Sequence, residues 1–134
     1  AALLSSLPPP PKALGNLGSV IAHIGPGPVT HVVERNGYRV ELRVTPNRAA
    51  TSNDFAVRLE RNGTPARGAD VVATFTMLDM EMPPQSYSLS EQAPGLYERA
   101  APALVMVGHW GLSFEIHPRG ARPFTIVFVD RAGG

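Results

Sequence analysis

Between Asn36-Gly37 and Pro46-Asn47, eight residues alternate without a break. Tyr38, Val40, Leu42 and Val44 are apolar or aromatic, and Arg39, Glu41, Arg43 and Thr45 are polar. Period two with one apolar set describes a strand buried on one face; a helix would scatter the same residues around its axis. The Asn-Gly pair follows the run from Val29 to Arg35, and an Asn-Gly between two such runs is the strongest short hairpin signal. This stretch commits the chain to antiparallel sheet, and the sequence after it repeats the theme. Phe55, Val57 and Leu59 alternate with Ala56, Arg58 and Glu60, and Arg61-Asn62-Gly63-Thr64-Pro65 supplies a turn. Ala69 to Leu78 is more apolar and reads as a central strand, while Pro83-Pro84, lacking amide donors, stops regular pairing before it.

Further strands are expected over 86–90, 96–99, 109–117 and 123–130, with turns at Ala93-Pro94-Gly95 and Pro118-Arg119-Gly120. Seven to eight short strands with frequent turns and no amphipathic helix predict an all-β chain, an Ig-like antiparallel β-sandwich over residues 29–134. Gly95-Leu96-Tyr97 fits two roles for the tyrosine: bonding back across a corner of such a sandwich, or filling its core. Residues 1–28 read as an N-terminal stub and linker. Ala1-Ala2-Leu3-Leu4-Ser5-Ser6-Leu7 is too short and uncharged for a secretory signal, Pro8 to Pro11 favour an extended spacer, and Gly25-Pro26-Gly27-Pro28 closes the segment. The apolar start is either an appended tail or the last turns of a longer apolar helix.

Composition narrows the function. Twelve basic residues against eleven acidic ones, with no long basic run, argue against nucleic acid, whose phosphates demand a concentrated positive face. The absence of cysteine removes disulfides and thiolate metal sites but leaves the compartment open. No nucleophile elbow, phosphate-cradling glycine loop or His-Glu-x-x-His zinc motif is present, so binding rather than catalysis is expected.

The methionines carry the chemistry. Met77, Met80, Met82 and Met106 all fall within thirty residues, and His109 and Trp110 follow directly. Thioethers are soft donors that favour Cu(I), and imidazole also suits copper. If the strand continues past Leu78, Met80 and Met82 share a face at about 6.6 Å, a gap that flexible side chains close on one ion. Met77 has the opposite parity and belongs with Phe75 and Ala73 in the core. The other reading is packing, since methionine fills irregular core gaps and one end of a sandwich needs a plug. Trp110 continues in parity with Leu112, Phe114 and Ile116 as a core residue, whereas His109 points away from that core. Asp79 and Glu81 either add oxygen ligands or solvate the strand end. His23, His31 and His117 show no ligand spacing.

Residues 37–129 resemble the YtkA-like and FixH-like family of small extracytoplasmic Ig-like domains. The resemblance rests on Gly37 to Pro46, Asn62-Gly63-Thr64-Pro65 with Gly68-Ala69-Asp70-Val71, Met80-Glu81-Met82-Pro83, Gly95-Leu96-Tyr97 and Met106-Val107-Gly108-His109-Trp110. The N-terminal Ala-Leu-Leu-Ser-Ser-Leu-Pro-Pro-Pro stretch is similar to the end of the last membrane helix in copper resistance protein D-type proteins. Some of these carry a YtkA-like domain after that helix. Together the resemblances imply an extracytoplasmic domain of a membrane copper-transport or copper-resistance protein. They also imply a partner in the membrane portion of the same polypeptide or in a separate membrane protein. The expected metal site takes Cu(I) on Met80 and Met82, with Met106 or His109 completing it. A metal-free docking module is the alternative.

Overall fold

The computed structural model describes residues 19–134, and every regular element among them is a strand. These are β1 (Ala22–Ile24), β2 (Val29–Arg35), β3 (Tyr38–Thr45), β4 (Asn53–Arg61), β5 (Thr64–Pro65), β6 (Asp70–Met77), β7 (Gln85–Ala93), β8 (Leu96–Ala101), β9 (Gly108–His117) and β10 (Phe124–Ala132). The all-β expectation holds, with ten strands in place of seven to eight. The two additions are short: β5 pairs two residues with the end of β4, and β1 pairs three residues in parallel with β10. Runs of two and three residues carry no periodicity, so neither stands out in the sequence. Because β1 is built into the sheet, part of the segment read as linker belongs to the folded body. The apolar start and the four prolines lie outside the described residues.

The strands run in the order β1-β10-β9-β6-β7-β8-β4-β3-β2, one hydrogen-bonded path in place of the two separate sheets of a sandwich. The crossing is made by β7. Its first half pairs Gln85 to Leu89 with β6, its second half pairs Ser90 to Ala93 with β8, and the register shifts between Glu91 and Ala93. Leu89 is the one fully buried side chain of β7, so this strand is not fixed to one layer by a continuous apolar face and can belong to both. The sheet thereby folds over until its ends nearly meet in a barrel-like shape. Bonds across the seam tie these ends together: Ala49 N–H donates to Gly133 O (2.7 Å) and Arg35 Nη1 donates to Thr125 O (3.2 Å).

The apolar parity read from the sequence becomes the core. Val40, Leu42 and Val44 of β3 are wholly enclosed, as are Val57 and Leu59 of β4 and Leu112, Phe114 and Ile116 of β9. The layers interlock through rings, with Phe55 on β4 centred 4.6 Å from Phe75 on β6, and Tyr38 on β3 stacked 5.6 Å from Phe124 on β10. Each fully buried large side chain contributes about 1.5–3 kcal/mol, so this interior dominates stability. Tyr97 takes both roles its position allowed. Its ring is buried, and its hydroxyl donates to Ala66 O (2.6 Å) and accepts from Ala69 N–H (3.0 Å), pinning the loop before β6.

Candidate functional site

Three strand ends meet at one rim of the fold, because the register sets Met77 of β6 beside Trp110 of β9, and Arg131 and Ala132 of β10 beside His109 and Gly108. Two loops rise from this rim: 78–84, which carries Met80 and Met82, and 102–107, which carries Met106. Strand β6 does not continue past Met77, which overturns the expected common face for Met80 and Met82. Asp79 accounts for the break. Its Oδ2 accepts the His109 backbone N–H (2.7 Å), and Leu78 N–H donates to His109 O (2.9 Å), so the chain is turned onto β9. The His109 Nδ1 then lies 3.1 and 3.2 Å from the two carboxylate oxygens of the same Asp79. The backbone bond from His109 is the main force holding the Asp79 carboxyl below its ordinary range; a smaller desolvation effect opposes it, and the imidazole adds further lowering.

The clamp demands glycine at 108. Gly108 adopts φ +146°, and a Cβ there would sit 2.5 Å from Asp79 Oδ2 and 2.6 Å from Met77 Cε. Any side chain at this position displaces the carboxylate, the methionine or both. On the other loop, Ala103 and Leu104 are buried as anchors. Ala50 N–H donates to Leu104 O (2.8 Å), and the Trp110 indole N–H donates to Met106 O (3.0 Å). Val105 and Val107, left between and beyond these anchors, are exposed.

Three of the four candidate ligands sit on these loops and His109 sits at the start of β9, in different environments. Met80 is 55% exposed, Met82 and Met106 are half-buried against the core, and Met77 is buried as its parity implied. His109 is exposed, as its parity also implied. Asp79 brings the loop of Met80 and Met82 against the first residues of β9. It also engages Nδ1 of His109, so the ring takes the tautomer with Nδ1–H toward the carboxylate and offers Nε2 outward. A carboxylate behind the imidazole is the usual support of a histidine metal ligand. Met80 and His109 therefore present a thioether and an imidazole nitrogen to solvent, while Met82 and Met106 have their side chains partly committed to packing. Among the described residues no three of His, Asp and Glu gather to hold a hard cation. Asp79 acts as a clamp between the 78–84 loop and β9.

A second polar cluster lies under the same rim, and nothing in the sequence flags it. Asn47, beyond β3, and Asp130, on β10, are both fully buried. The Asn47 amide donates to Asp130 Oδ1 and to Gly27 O, each at 2.8 Å, while Asn47 Oδ1 and Asp130 Oδ2 have no hydrogen-bond partner. Burial raises the Asp130 carboxyl to about 6, against the smaller lowering effect of the Asn47 amide and the Arg131 backbone N–H.

Comparison with known proteins settles the family. The YtkA-like family model matches residues 33–115, which is more than half of the chain and includes Met80, Met82, Met106 and His109. The chain belongs to the YtkA-like family. No curated protein and no solved structure matches it. In this YtkA-like domain the matched segment runs from the middle of β2 into β9, so β1, β10 and Asp130 fall outside it.

Proposed function

We propose that this YtkA-like chain is an extracytoplasmic, Ig-like accessory domain of a membrane copper-handling protein, and that it receives and passes Cu(I) at the rim. The observation that carries the reading is the Asp79–His109 clamp. It places an oriented imidazole on the loop end that also bears Met80, Met82 and Met106. In this reading His109 Nε2 and the Met80 thioether are the entry ligands. Met82 and Met106 turn from the core edge to complete the soft donor set. Solvent exposure of the first two suits a site that must release its ion, since delivery requires exchange with a partner. That partner is the membrane portion of the same polypeptide or a membrane protein beside it. Binding and transfer are the whole of the role; no reaction is assigned to the domain.

Anaerobic titration with Cu(I) against a competing chelator of known affinity tests this. Stoichiometric competition by the native chain, lost in the Met80→Leu, Met82→Leu double variant with the fold intact, is the expected result, because leucine nearly matches methionine in volume. Equal copper affinity in native and double-variant protein would remove these residues from the role.

A second reading rests on a different observation. Met80, Val105 and Val107 form exposed apolar points on the same two loops, at 55%, 38% and 61% exposure. They suit docking against a protein partner without metal. Absence of any competition for Cu(I) would favour this reading over the first.

A further inference from the structure

At the opposite end from the methionine rim, a cleft of about 370 Å3 opens between the β4–β5 turn, the loop before β6 and the β9–β10 turn. Three of its lining residues are Arg61, Arg67 and Arg119, and none is acidic. Among the described residues, no carboxylate comes within salt-bridge distance of these three guanidinium groups, although elsewhere Arg39 has two such partners and His109 and His117 one each. Glu91, outside the lining, is the one carboxylate among them that acts on Arg67, so the three like charges still repel one another, and their convergence on one concavity costs stability that an anion would restore.

Arg61 and Arg119 are also held in place. The Arg61 guanidinium lies over the Tyr38 ring, 5.2 Å from its centre, and Nη1 donates to the Tyr38 hydroxyl (3.3 Å). Arg119 packs directly on Gly68, where a Cβ would collide with its guanidinium. The loop beneath, from Ala66 to Ala69, is fixed at both ends by the Tyr97 hydroxyl, and Gly68 N–H donates to Glu91 Oε1 (3.1 Å). Glu91 influences Arg67 from outside the lining, and its own carboxyl is held low by the backbone N–H groups of Gly95 and then Gly68. Donors fixed before the ligand arrives lose little entropy on binding.

We propose that this cleft binds a phosphorylated anion through Arg61, Arg67 and Arg119. Three guanidiniums call for more than the single charge of a carboxylate, and the planar guanidinium fork matches phosphate oxygens two at a time. Tyr38 is 4% exposed and engaged by Arg61, so the cleft offers no ring for a nucleobase to stack on. The recognised group is the phosphate itself, presented either by a soluble phosphate compound or by an anionic lipid headgroup.

The test uses the 134-residue chain with inorganic pyrophosphate as the soluble probe, followed by amide NMR at low salt. Vesicles of phosphatidylglycerol, with phosphatidylcholine as control, form the second arm. Saturable shifts confined to 61–69 and 117–120, with a Kd below about 1 mM, are expected. The Arg61→Gln, Arg119→Gln double variant should bind at least about tenfold more weakly. Arg119→Lys, which keeps the charge and loses the fork, provides a milder variant should the double one fail to fold, and it too should bind more weakly. Pyrophosphate binding without co-sedimentation assigns a soluble phosphate ligand. Arginine-dependent co-sedimentation with phosphatidylglycerol alone assigns a lipid headgroup. Unsaturated drift with pyrophosphate and no arginine-dependent co-sedimentation would overturn the proposal, as would binding left unchanged by all of these substitutions.

Discussion

Asn47 and Asp130, 83 positions apart, meet inside the protein through one 2.8 Å hydrogen bond, and the Asn47 Oδ1 and the Asp130 Oδ2 are left with no partner. One added proton relieves both deficits: a protonated Asp130 carries a hydroxyl to donate, and the Asn47 carbonyl lacks a donor. Burial of the carboxyl, which raises it to about 6, points the same way.

The sign of the pH dependence follows. The native state holds this proton more tightly than the unfolded chain, in which the group titrates near its ordinary 3.8. The contribution of Asp130 to stability is therefore fully present below that value, declines as pH rises to about 6, and is gone above it. At 1.36 kcal/mol per pH unit the difference amounts to roughly 3 kcal/mol. Asp130→Asn supplies a permanent donor and no charge. It should raise Tm at pH 8 and flatten the profile between pH 4 and 7. Denaturant titration across that range checks it, and an unchanged profile would sink the shared proton.

Gly108→Ala should uncouple the rim. The φ of +146° and the 2.5 Å approach to Asp79 leave no room for a methyl group, so a loss of about 1–3 kcal/mol is expected. Loss of the His109 amide shift that reports the bond to Asp79 would mark the site of damage in NMR.

Asp79→Ala separates support from coordination. Removing the carboxylate leaves His109 present but unoriented, and Cu(I) affinity should fall about 10–100-fold, as for other residues that support a metal-bound histidine. Stability should fall by about 1–2 kcal/mol, because the half-exposed ion pair contributes about 0–1 kcal/mol and the bond from the His109 backbone N–H is lost with it. Chelator competition checks the first expectation and denaturant titration the second.

Tyr97→Phe removes the hydroxyl that serves Ala66 O and Ala69 N–H while leaving the ring in the core. A cost of about 1–3 kcal/mol is expected from two backbone groups losing their partner. Faster amide exchange confined to residues 66–69 would distinguish this from a general loosening.

Trp110→Phe should free the 102–107 loop, since the indole N–H is the donor to Met106 O. The single tryptophan also serves as a probe in the native protein. Copper bound on the rim should change its fluorescence, and loss of that response in the Met80→Leu, Met82→Leu variant would tie the signal to the proposed ligands.

The sheet was legible in the sequence wherever alternation ran long enough. Tyr38 to Val44 and Phe55 to Leu59 bury the residues their parity selects, and His109 faces outward while Trp110 faces in. What escaped was set by contacts between distant segments. Asp79 bonds to His109, thirty positions on, just beyond the end of β6, so the continuation past Leu78 on which a common face for Met80 and Met82 depended does not occur. Asn47 reads as a turn residue and Asp130 as a strand end; only the assembled sheet makes them a pair. The arginine cleft is equally invisible, because Arg61 merely ends β4 while Arg67 and Arg119 each sit in an ordinary turn or loop.

Because β7 is stitched to β6 at one end and to β8 at the other, the protein has no seam along that side. Its halves cannot part like a book to admit a ligand or a partner. Traffic at either end must pass through the loops, and the two ends are joined by one continuous hydrogen-bonded sheet. With no hinge between the layers to carry a signal from the methionine rim to the arginine cleft, the two sites should load independently.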